Sequence, residues 1–446
     1  METDPKMIDT ILVRRGRARL MKMGALAIAF AGFAGCNDFL SADNPGAIEE
    51  PDVNSPAYIG LIANGPIFAF QAAHGDVTYW NGQFVDELYN RAVFVEEGQI
   101  DRRELYSDMS YINAFIYAPL QRARFLGDDG AVRLKILLAD SASRDLRVGR
   151  SLAYAGYSLM YLGEAMCVTP IDLGAPKPPE EVFTDAIVRF QEAVTIAGAA
   201  KQHLQSLPVQ NINAIAAADS VRFFALVGAA RAALNKNDKA AAIAFASQVP
   251  SAFVFRAFYT DNTTAQRNRT YDRLTLGSNA TLLNTPFAAA LGDPRVPRVA
   301  GTTGRANVPL APSSYSTFSN TVAGADFAPV MSVRIASGLE AEYIVAEAGG
   351  PTPATLSFVN LRRAAGLQAP VTLSGDALMA ELREQRGRDF YLDNHRLGDL
   401  RRYLKYYNVD LFPKGPYPGS TSGQVYDQSI TCWPLPTNEI NGNPNI

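Results

Sequence analysis

Apolar residues recur every three or four positions over much of the chain, which is the period of an amphipathic α-helix. The clearest case is Phe183–Ala197, where one face is apolar throughout and Thr184 is placed to cap the first turn. Further helices are predicted over Leu146–Ala165, Val221–Leu234 and Lys239–Val249. Gly228 lies in the second of these three and permits close approach by a neighbouring helix. The first half is therefore expected to be mostly helix.

Two of these helices are joined by only the polar residues Asn235–Asp238, which predicts an antiparallel hairpin. Ala241 and Phe245 in its second helix repeat the A-x-x-x-F spacing of Ala186 and Phe190, a cue for tetratricopeptide-like repeats. The repeat period is irregular. The sequence therefore leaves open a choice between tetratricopeptide-like hairpins and a generic helical stack.

The pattern changes after residue 250. Short apolar runs are punctuated by Thr, Asn, Ser, Pro and Gly, which predicts long loops with a small hairpin. Helix returns at Leu339–Ala348, Thr352–Ala365 and about Asp376–Lys405. We predict a mainly α fold in which tetratricopeptide-like helical hairpins form a scaffold. That single domain, 57–446, has its helical frame at about 57–250 and 336–405, a loop-rich insertion at about 251–335, and a C-terminal loop segment at 406–446.

The N-terminus predicts export. A basic stretch precedes the apolar run Met23–Phe33, which is too short to span a membrane. Small residues then lead to Cys36, the layout of a bacterial lipobox, although Phe33 stands where Leu is preferred. We expect residues 1–35 to be a lipoprotein signal peptide, Cys36 to carry lipid, and residues 36–56 to be a tether. The alternative is a plain secretory signal that contains a cysteine.

Composition and residue spacing argue against several classes of function. Lys and Arg number 41 against 44 Asp and Glu, and this balance gives no reason to expect nucleic acid. The histidines stand far apart, at His74, His203 and His395, and no CxxC or HExxH spacing occurs, so neither a metal site nor a cofactor is expected. Beyond the lipobox, Cys167 and Cys432 remain, and the sequence leaves open whether they pair.

The last helical stretch carries charges at spacings of three and four. They are Arg386, Asp389, Asp393, Arg396, Asp399 and Arg402. On one continuous helix they would line one face and bridge to one another. One interpretation is a solvated charge face, and the other is a structural charge lattice buried against loops.

This stretch resembles the late motif of the SusD/RagB-like nutrient-uptake lipoproteins, R-x-x-E-L-x-x-E-G-x-R-x-x-D-L. The chain reads Arg386-x-x-Asp389-Phe390-x-x-Asp393-Asn394-His395-Arg396-x-x-Asp399-Leu400. Asp replaces Glu twice, Phe replaces Leu and Asn replaces Gly, so no charge changes sign. Other segments resemble the family in its order: Asp293–Arg295, Glu340–Ala348, Asn360–Leu367 and Trp433–Pro444.

The resemblance implies a helical frame with loop insertions that form a ligand surface. It also implies a lipid-anchored protein of the outer membrane, facing the cell exterior, that is not an enzyme. Such a protein captures glycan or peptide oligomers and delivers them to a SusC-like TonB-dependent transporter.

Glycan recognition needs flat aromatic faces and a few polar side chains. Tyr79, Trp80, Asn81 and Arg91 fall in one short window, and Tyr315 offers a second ring in the insertion. The alternative is that these aromatic residues belong to the core or to an interface.

Two other functions stay open. One is a helical scaffold lipoprotein that binds only other proteins. The other is a secreted polysaccharide hydrolase, which needs a carboxylate pair across a cleft. The sequence contains no G-x-S-x-G elbow and no metal-ligand spacing that would favour an enzyme.

Overall fold

The computed structural model describes residues 53–276, 280–299, 308–312, 314–316, 327–418, 420 and 422–446. The predicted signal peptide, Cys36 and nearly all of the tether lie outside the described residues. Pro56–Ile446 forms one compact unit.

Helices make up most of this unit, as predicted. They are α1 (Ile59–Phe84), α2 (Val95–Arg102), α3 (Ala118–Leu138), α4 (Leu146–Ala165), α5 (Pro179–Ser206), α6 (Ile212–Asn235), α7 (Lys239–Ala246), the single turn α8 (Arg269–Tyr271), α9 (Gly338–Gly349), α10 (Pro353–Ala365), α11 (Gly375–Asp389), α12 (Arg396–Tyr407) and α13 (Thr437–Gly442). The strands are β1 (Tyr89–Asn90), β2 (Val254–Ala257), β3 (Ala280–Thr281), β4 (Tyr315–Ser316) and β5 (Ser332–Ser337).

Helices α3 to α7 pack in chain order and form the helical frame. The Phe190 ring of α5 lies against Gly156 of α4 and Gly228 of α6. A Cβ atom added at Gly156 would lie 2.7 Å from Phe190 Cε1. The frame therefore depends on glycines where helices cross, and the close approach predicted at Gly228 is confirmed.

Helices α5, α6 and α7 differ from their predicted bounds: α6 begins at Ile212 and not at Val221, and α5 ends at Ser206 and not at Ala197. Helix α5 begins at Pro179, so Thr184 is not its cap; the Thr184 hydroxyl instead donates a 2.8 Å hydrogen bond to the Glu180 carbonyl within the helix. A proline is well tolerated in the first turn because its missing N–H has no intrahelical partner there. Helix α7 is capped by Asp238 and ends at Ala246, three residues earlier than predicted.

Among the described residues, α6 is the one helix long and apolar enough to cross a membrane by length and composition. It packs against α5 and α7, and Arg231 in its last turns donates to both carboxylate oxygens of Glu164, at 2.7 and 2.8 Å. Packing inside the frame therefore accounts for its apolar composition.

The insertion is closed at its base by a small antiparallel sheet of order β2-β5-β4. Val254 pairs with Ser337, so the sheet joins the two ends of the insertion instead of forming a local hairpin there. A second antiparallel pair, β1 with β3, joins the insertion to the segment after α1.

The single helix expected over residues 376–405 is interrupted. Helix α11 ends at Asp389 and α12 begins at Arg396, and between them Leu392 and Asn394 have φ angles of 54° and 66°. Left-handed backbone is ordinary for asparagine but costly for leucine. The surrounding contacts must hold this turn, here called the α11–α12 joint, in place.

Cys167 and Cys432 form a disulfide, which settles the pairing that the sequence left open. The Cys167 N–H also donates a 2.9 Å hydrogen bond to the Trp433 carbonyl. The C-terminal loop segment is thus tied to the end of α4.

Candidate ligand-binding site

The predicted aromatic window is buried. Tyr79 and Trp80 have no exposed surface, and Asn81 is 4% exposed. The rings of Trp80 and Phe115 stack with centroids 5.6 Å apart, and Asn81 Oδ1 accepts a 2.8 Å hydrogen bond from Trp433 Nε1. A ring without an exposed face has no surface on which a sugar can stack. The structure therefore corrects the expected ligand contacts at these three positions in favour of the core alternative.

Tyr315 is also buried, whereas Arg91 is exposed. The Tyr315 hydroxyl donates a 2.7 Å hydrogen bond to the Leu392 carbonyl and so fastens β4 to the α11–α12 joint. Its expected ligand contact is corrected for the same reason. Arg91 lies directly after β1 at the surface and stays a candidate.

The predicted charge lattice lies inside the molecule. Arg386, Asp389, Asp393 and Asp399 are buried, and the side chain of Arg396 is 10% exposed. Within this set, Arg386 Nε donates to Asp399 Oδ2 at 2.7 Å. Arg402 Nη2 also donates to Asp399 Oδ1 at 2.7 Å, one turn along α12. Asp389, Asp393 and Arg396 bind partners on other elements, because the interruption of the helix turns them away from a common face. The buried interpretation holds, but the expected single helical face is wrong.

Asp389 joins three elements at the end of α11. Arg362 of α10 donates to its two oxygens at 2.8 and 2.7 Å, and the Tyr343 hydroxyl of α9 donates at 2.5 Å. Arg295 of the insertion donates at 3.3 Å. A carboxylate with this many donors is well compensated for its burial.

Asp399 has a similar role in α12. Burial opposes its ionisation, but the guanidinium groups of Arg386 and Arg402 outweigh that effect and hold its pKa at about 2. Arg402 also donates to both oxygens of Glu347 on α9, at 2.7 and 2.9 Å. Charged pairs thus fix α12 against α9 and α11.

Asp393, His395 and Glu340 are neighbours in the core, and His395 is hydrogen-bonded to Asp393 but not to Glu340. His395 Nδ1 lies 2.7 Å from Asp393 Oδ1, and His395 Nε2 lies 3.1 Å from Glu340 Oε1. Burial raises the pKa of Glu340 to about 7 and that of Asp393 to about 8, and burial lowers the pKa of His395 well below its usual value. Such shifts also occur at catalytic sites. Here each of the three residues is at most 2% exposed, so all three are part of the core.

Arg396 connects this lattice to the surface. Its Nε and Nη2 atoms donate to the two oxygens of Asp86 at 2.7 and 2.6 Å. Asp86 lines a surface cleft of about 520 Å³, which we name the loop cleft. Its walls come from the segments after α1, β3 and α12. The polar and aromatic residues that line it are Asp86, Tyr89, Asp101, Asn284, Thr285, Lys414 and Tyr426.

Two tyrosines, Tyr89 and Tyr426, line the loop cleft, and Tyr417 packs against both of their rings. The rings of Tyr89 and Tyr417 stack with centroids 5.4 Å apart, and Tyr426 packs against Tyr417 at 5.3 Å. The Tyr417 hydroxyl donates to Asp101 Oδ2 at 2.6 Å, and the Tyr89 hydroxyl donates to the Pro418 carbonyl at 2.5 Å. Because both hydroxyls are held, the rings are preorganised for a flat ligand.

Polar groups of both signs accompany these rings. Lys414 and Asn284 are exposed, and Lys414 pairs with Asp410 at 2.9 Å. Burial raises the pKa of Asp101 to about 7. Amide, carboxyl and ammonium groups together suit a ligand that is rich in hydroxyls. The described part of the chain contains no group of three or more His, Cys, Asp or Glu side chains placed to hold a metal.

The sequence interpretation missed the C-terminal wall of the loop cleft. Arg103 holds this wall: its Nη2 donates to the Pro413 carbonyl at 2.5 Å, and its guanidinium lies 5.2 Å from the Phe412 ring centre. The available signal was the alternation of Pro, Gly and Tyr in 413–418, which is typical of a surface loop that presents a ring.

Comparison of the whole fold with solved structures finds similar proteins. A SusD superfamily protein from Bacteroides fragilis is 14% identical with a TM-score of 0.60, over 88% of this chain and 99% of that one. A laminarin-binding SusD-like protein is 11% identical with a TM-score of 0.61, over 88% and 100%.

Surface glycan-binding protein A from Bacteroides thetaiotaomicron, solved in complex with laminarihexaose, is 12% identical with a TM-score of 0.55, over 88% and 98%. No family model and no curated protein sequence matches this chain. At these identities the likeness establishes the fold, and the chain has the SusD-like fold that its late motif predicted.

Proposed function

We propose that this protein is an outer-membrane lipoprotein that captures glycan in the loop cleft and delivers it to a SusC-like TonB-dependent transporter. The observation that carries the proposal is the preorganised tyrosine cluster around Tyr89, which lies beside Asp86, Asn284 and Lys414. Sugar rings stack on aromatic faces while carboxylate and amide groups bond their hydroxyls. Two proteins with a similar fold are named for glycan binding.

Two observations support the cell-surface part of the proposal. The segment before Cys36 has the layout of a lipoprotein signal. The Cys167–Cys432 disulfide fits an exported protein, because disulfides persist in oxidising compartments. In this role the protein contributes binding and no chemical step.

Calorimetric titration of the purified protein tests the ligand class. The panel contains laminarihexaose, cellohexaose, maltohexaose and neutral hexapeptides. At least one glycan is expected to bind, and Tyr89→Ala is expected to weaken that binding about tenfold, because a stacking face is lost. Tyr106→Ala is the matched control, since Tyr106 is exposed but does not line the loop cleft.

The proposed ligand class is wrong if only peptides bind, or if Tyr89→Ala and Tyr106→Ala bind glycan equally well. Shortening of the hexasaccharides during the titration, detected by mass spectrometry, would favour the hydrolase instead.

Purification of the tagged protein from native membranes in mild detergent tests the delivery step. A large β-barrel transporter is expected to co-purify in defined stoichiometry, and Cys36→Ala is expected to release the protein from the membrane fraction. Co-purification of other proteins without a barrel would favour the protein-binding scaffold.

A further inference from the structure

A second surface cleft, of about 600 Å³, lies between α1, α3 and the turn that leads into α8. We name it the alanine cleft, because Ala69, Ala72 and Ala73 of α1 contribute to its lining. Side chains this small leave the space unfilled. None of its lining residues lines the loop cleft, so the two clefts can be tested separately.

Asp76 contributes a carboxylate to the lining of the alanine cleft. This carboxylate accepts fewer hydrogen bonds than it could. Its Oδ1 atom is buried without a hydrogen-bond partner. The nearest cationic atoms are Arg269 Nε, 3.5 Å from Oδ2, and Arg273 Nη2, 3.6 Å from Oδ1. Both distances exceed those of good hydrogen bonds. The Asp76 carboxylate is therefore short of close hydrogen-bond donors, and the residue lines the cleft.

Arg273 is fixed in place by aromatic rings. Its guanidinium carbon lies 4.9 Å from the Trp80 ring centre and 4.8 Å from that of Phe115. The buried ring of Trp80 thus holds Arg273 beside Asp76, although neither Trp80 nor Arg273 lines the alanine cleft.

The rim of the cleft adds a ring, a cation and an amide. Phe68 is 48% exposed, and its ring stacks on no other ring in the described part of the chain. Arg122 is exposed and makes no ion pair or hydrogen bond with any residue that the structure describes. Asn113 lies in the π-helical segment Ile112–Tyr117, a geometry that often occurs at functional sites.

The charges favour an anionic ligand. Arg122 and Arg269 are the cations that line the cleft, and Asp76 is the carboxylate that lines it. Arg269 also pairs with Asp272, which lies outside the lining. Among the lining residues one positive charge is in excess, and Arg122 at the rim is the cation that pairs with no acidic residue in the part of the chain that the structure describes.

We propose that the alanine cleft binds an acidic saccharide. The ring of a uronic acid unit stacks on Phe68, and its carboxylate pairs with Arg122. Its hydroxyls bond to Asp76 and Asn113. This site is distinct from the loop cleft, and its ligand differs from the neutral glycans of the proposed function in carrying charge.

Titration with trigalacturonate and with neutral galactotriose tests the proposal on the full mature chain. Trigalacturonate is expected to bind at least about tenfold more tightly than galactotriose, because a charge-assisted bidentate pair is formed. Arg122→Ala is expected to abolish that preference, Arg122→Lys to retain part of it, and Phe68→Ala to weaken binding of trigalacturonate. Added salt is expected to reduce the preference.

Two controls separate this site from general effects. Arg144→Ala removes an exposed arginine that does not line the alanine cleft, and it is expected to change nothing. Tyr89→Ala is expected to leave trigalacturonate binding intact even where it weakens neutral glycans. Unchanged thermal unfolding of the Arg122 and Phe68 variants would confirm that they fold.

Three results would overturn the proposal. They are no preference for trigalacturonate, a preference that survives in Arg122→Ala, and equally tight binding of a peptide with the same number of carboxylates. The last would assign the alanine cleft to acidic peptides.

Discussion

The helical frame and the α11–α12 joint reach stability by opposite means. Where α4, α5 and α6 of the frame cross, the Phe190 ring fits over Gly156 and Gly228 in apolar contact. The ion pair of Arg231 and Glu164 is a charged contact at the end of the same helices. On either side of the joint, Asp389 and Asp399 are buried among guanidinium groups. Arg362 and Arg386 reach them from other helices, and Arg402 lies one turn from Asp399 in α12. Apolar contacts require no particular direction, and a substitution there costs free energy in proportion to the atoms removed. A buried charge that loses its partner is instead left uncompensated. The joint is therefore the more sensitive region.

Asp399→Asn tests this difference most strongly. It leaves Arg386 and Arg402 without their shared carboxylate, and the free energy of unfolding is expected to fall by about 3–5 kcal/mol. Urea denaturation measures the loss. The control is Glu192→Gln, which breaks the half-exposed pair of Lys135 and Glu192 and is expected to cost about 0–1 kcal/mol. Equal losses in the two variants would contradict the role given to the joint.

Removal of the disulfide is the next largest effect expected. In Cys167→Ser/Cys432→Ser, the free energy of unfolding should fall by about 2–5 kcal/mol, because the unfolded chain is no longer cross-linked. Binding of neutral glycan should weaken as well, since the C-terminal segment that Cys432 anchors also lines the loop cleft. Denaturation and titration measure the two effects. Unchanged glycan binding in a destabilised variant would show that the disulfide does not help to shape the loop cleft.

Glu340, a buried carboxyl group of α9 close to the joint, also makes the stability of the fold depend on pH. Glu340 has an ordinary pKa of 4.5 and a folded pKa of about 7. Between these values the folded state keeps a proton that the unfolded state has lost, so Glu340 lowers stability as the pH rises. The free energy of unfolding of Glu340→Gln, relative to that of the parent protein, should rise by at most about 3 kcal/mol between pH 4.5 and pH 7.

Urea denaturation of both proteins across this pH range measures that gain. Because Glu340 contacts His395 and raises the pKa of Asp393, the difference between the two curves reports Glu340 together with its effect on these neighbours. A difference that stays constant with pH would show that the carboxyl group does not keep its proton in the fold.

The frame itself should respond more mildly. Gly228→Ala places a methyl group against the Phe190 ring, and the free energy of unfolding is expected to fall by about 1–3 kcal/mol. Gly198→Ala in α5 is the matched control, because no atom lies within 4 Å of the added Cβ. In that control the free energy of unfolding should stay the same or rise by up to about 1 kcal/mol, because alanine has the higher helix propensity. Equal effects at both glycines would argue against close packing at Gly228.

Local periodicity was enough to predict the frame. Leu146–Ala165 is a helix with the predicted bounds, although it is buried continuously from Ser151 to Ala165. The α11–α12 joint was not predictable from the same signal, since a continuous helix satisfies the spacing of Arg386, Asp389 and Asp393 equally well. The interruption depends on partners such as Arg295 and Arg362, which lie 94 and 27 residues from Asp389.

The candidate site was harder to predict than the frame. Aromatic residues near the end of α1 can face the core or the solvent, and composition does not distinguish Trp80 from Tyr89. The sequence window did contain Tyr89, which lines the loop cleft. Its ring partner Tyr417 is distant in the chain, and the disulfide and Arg103 bring the segment of Tyr417 to the cleft.

The structure of the protein with the tightest-binding neutral oligosaccharide tests the central claim most directly. The proposal predicts a sugar ring in the loop cleft, in contact with Tyr89 and within hydrogen-bond distance of Asn284 or Lys414. A neutral oligosaccharide bound at another surface, with the loop cleft empty, would contradict it.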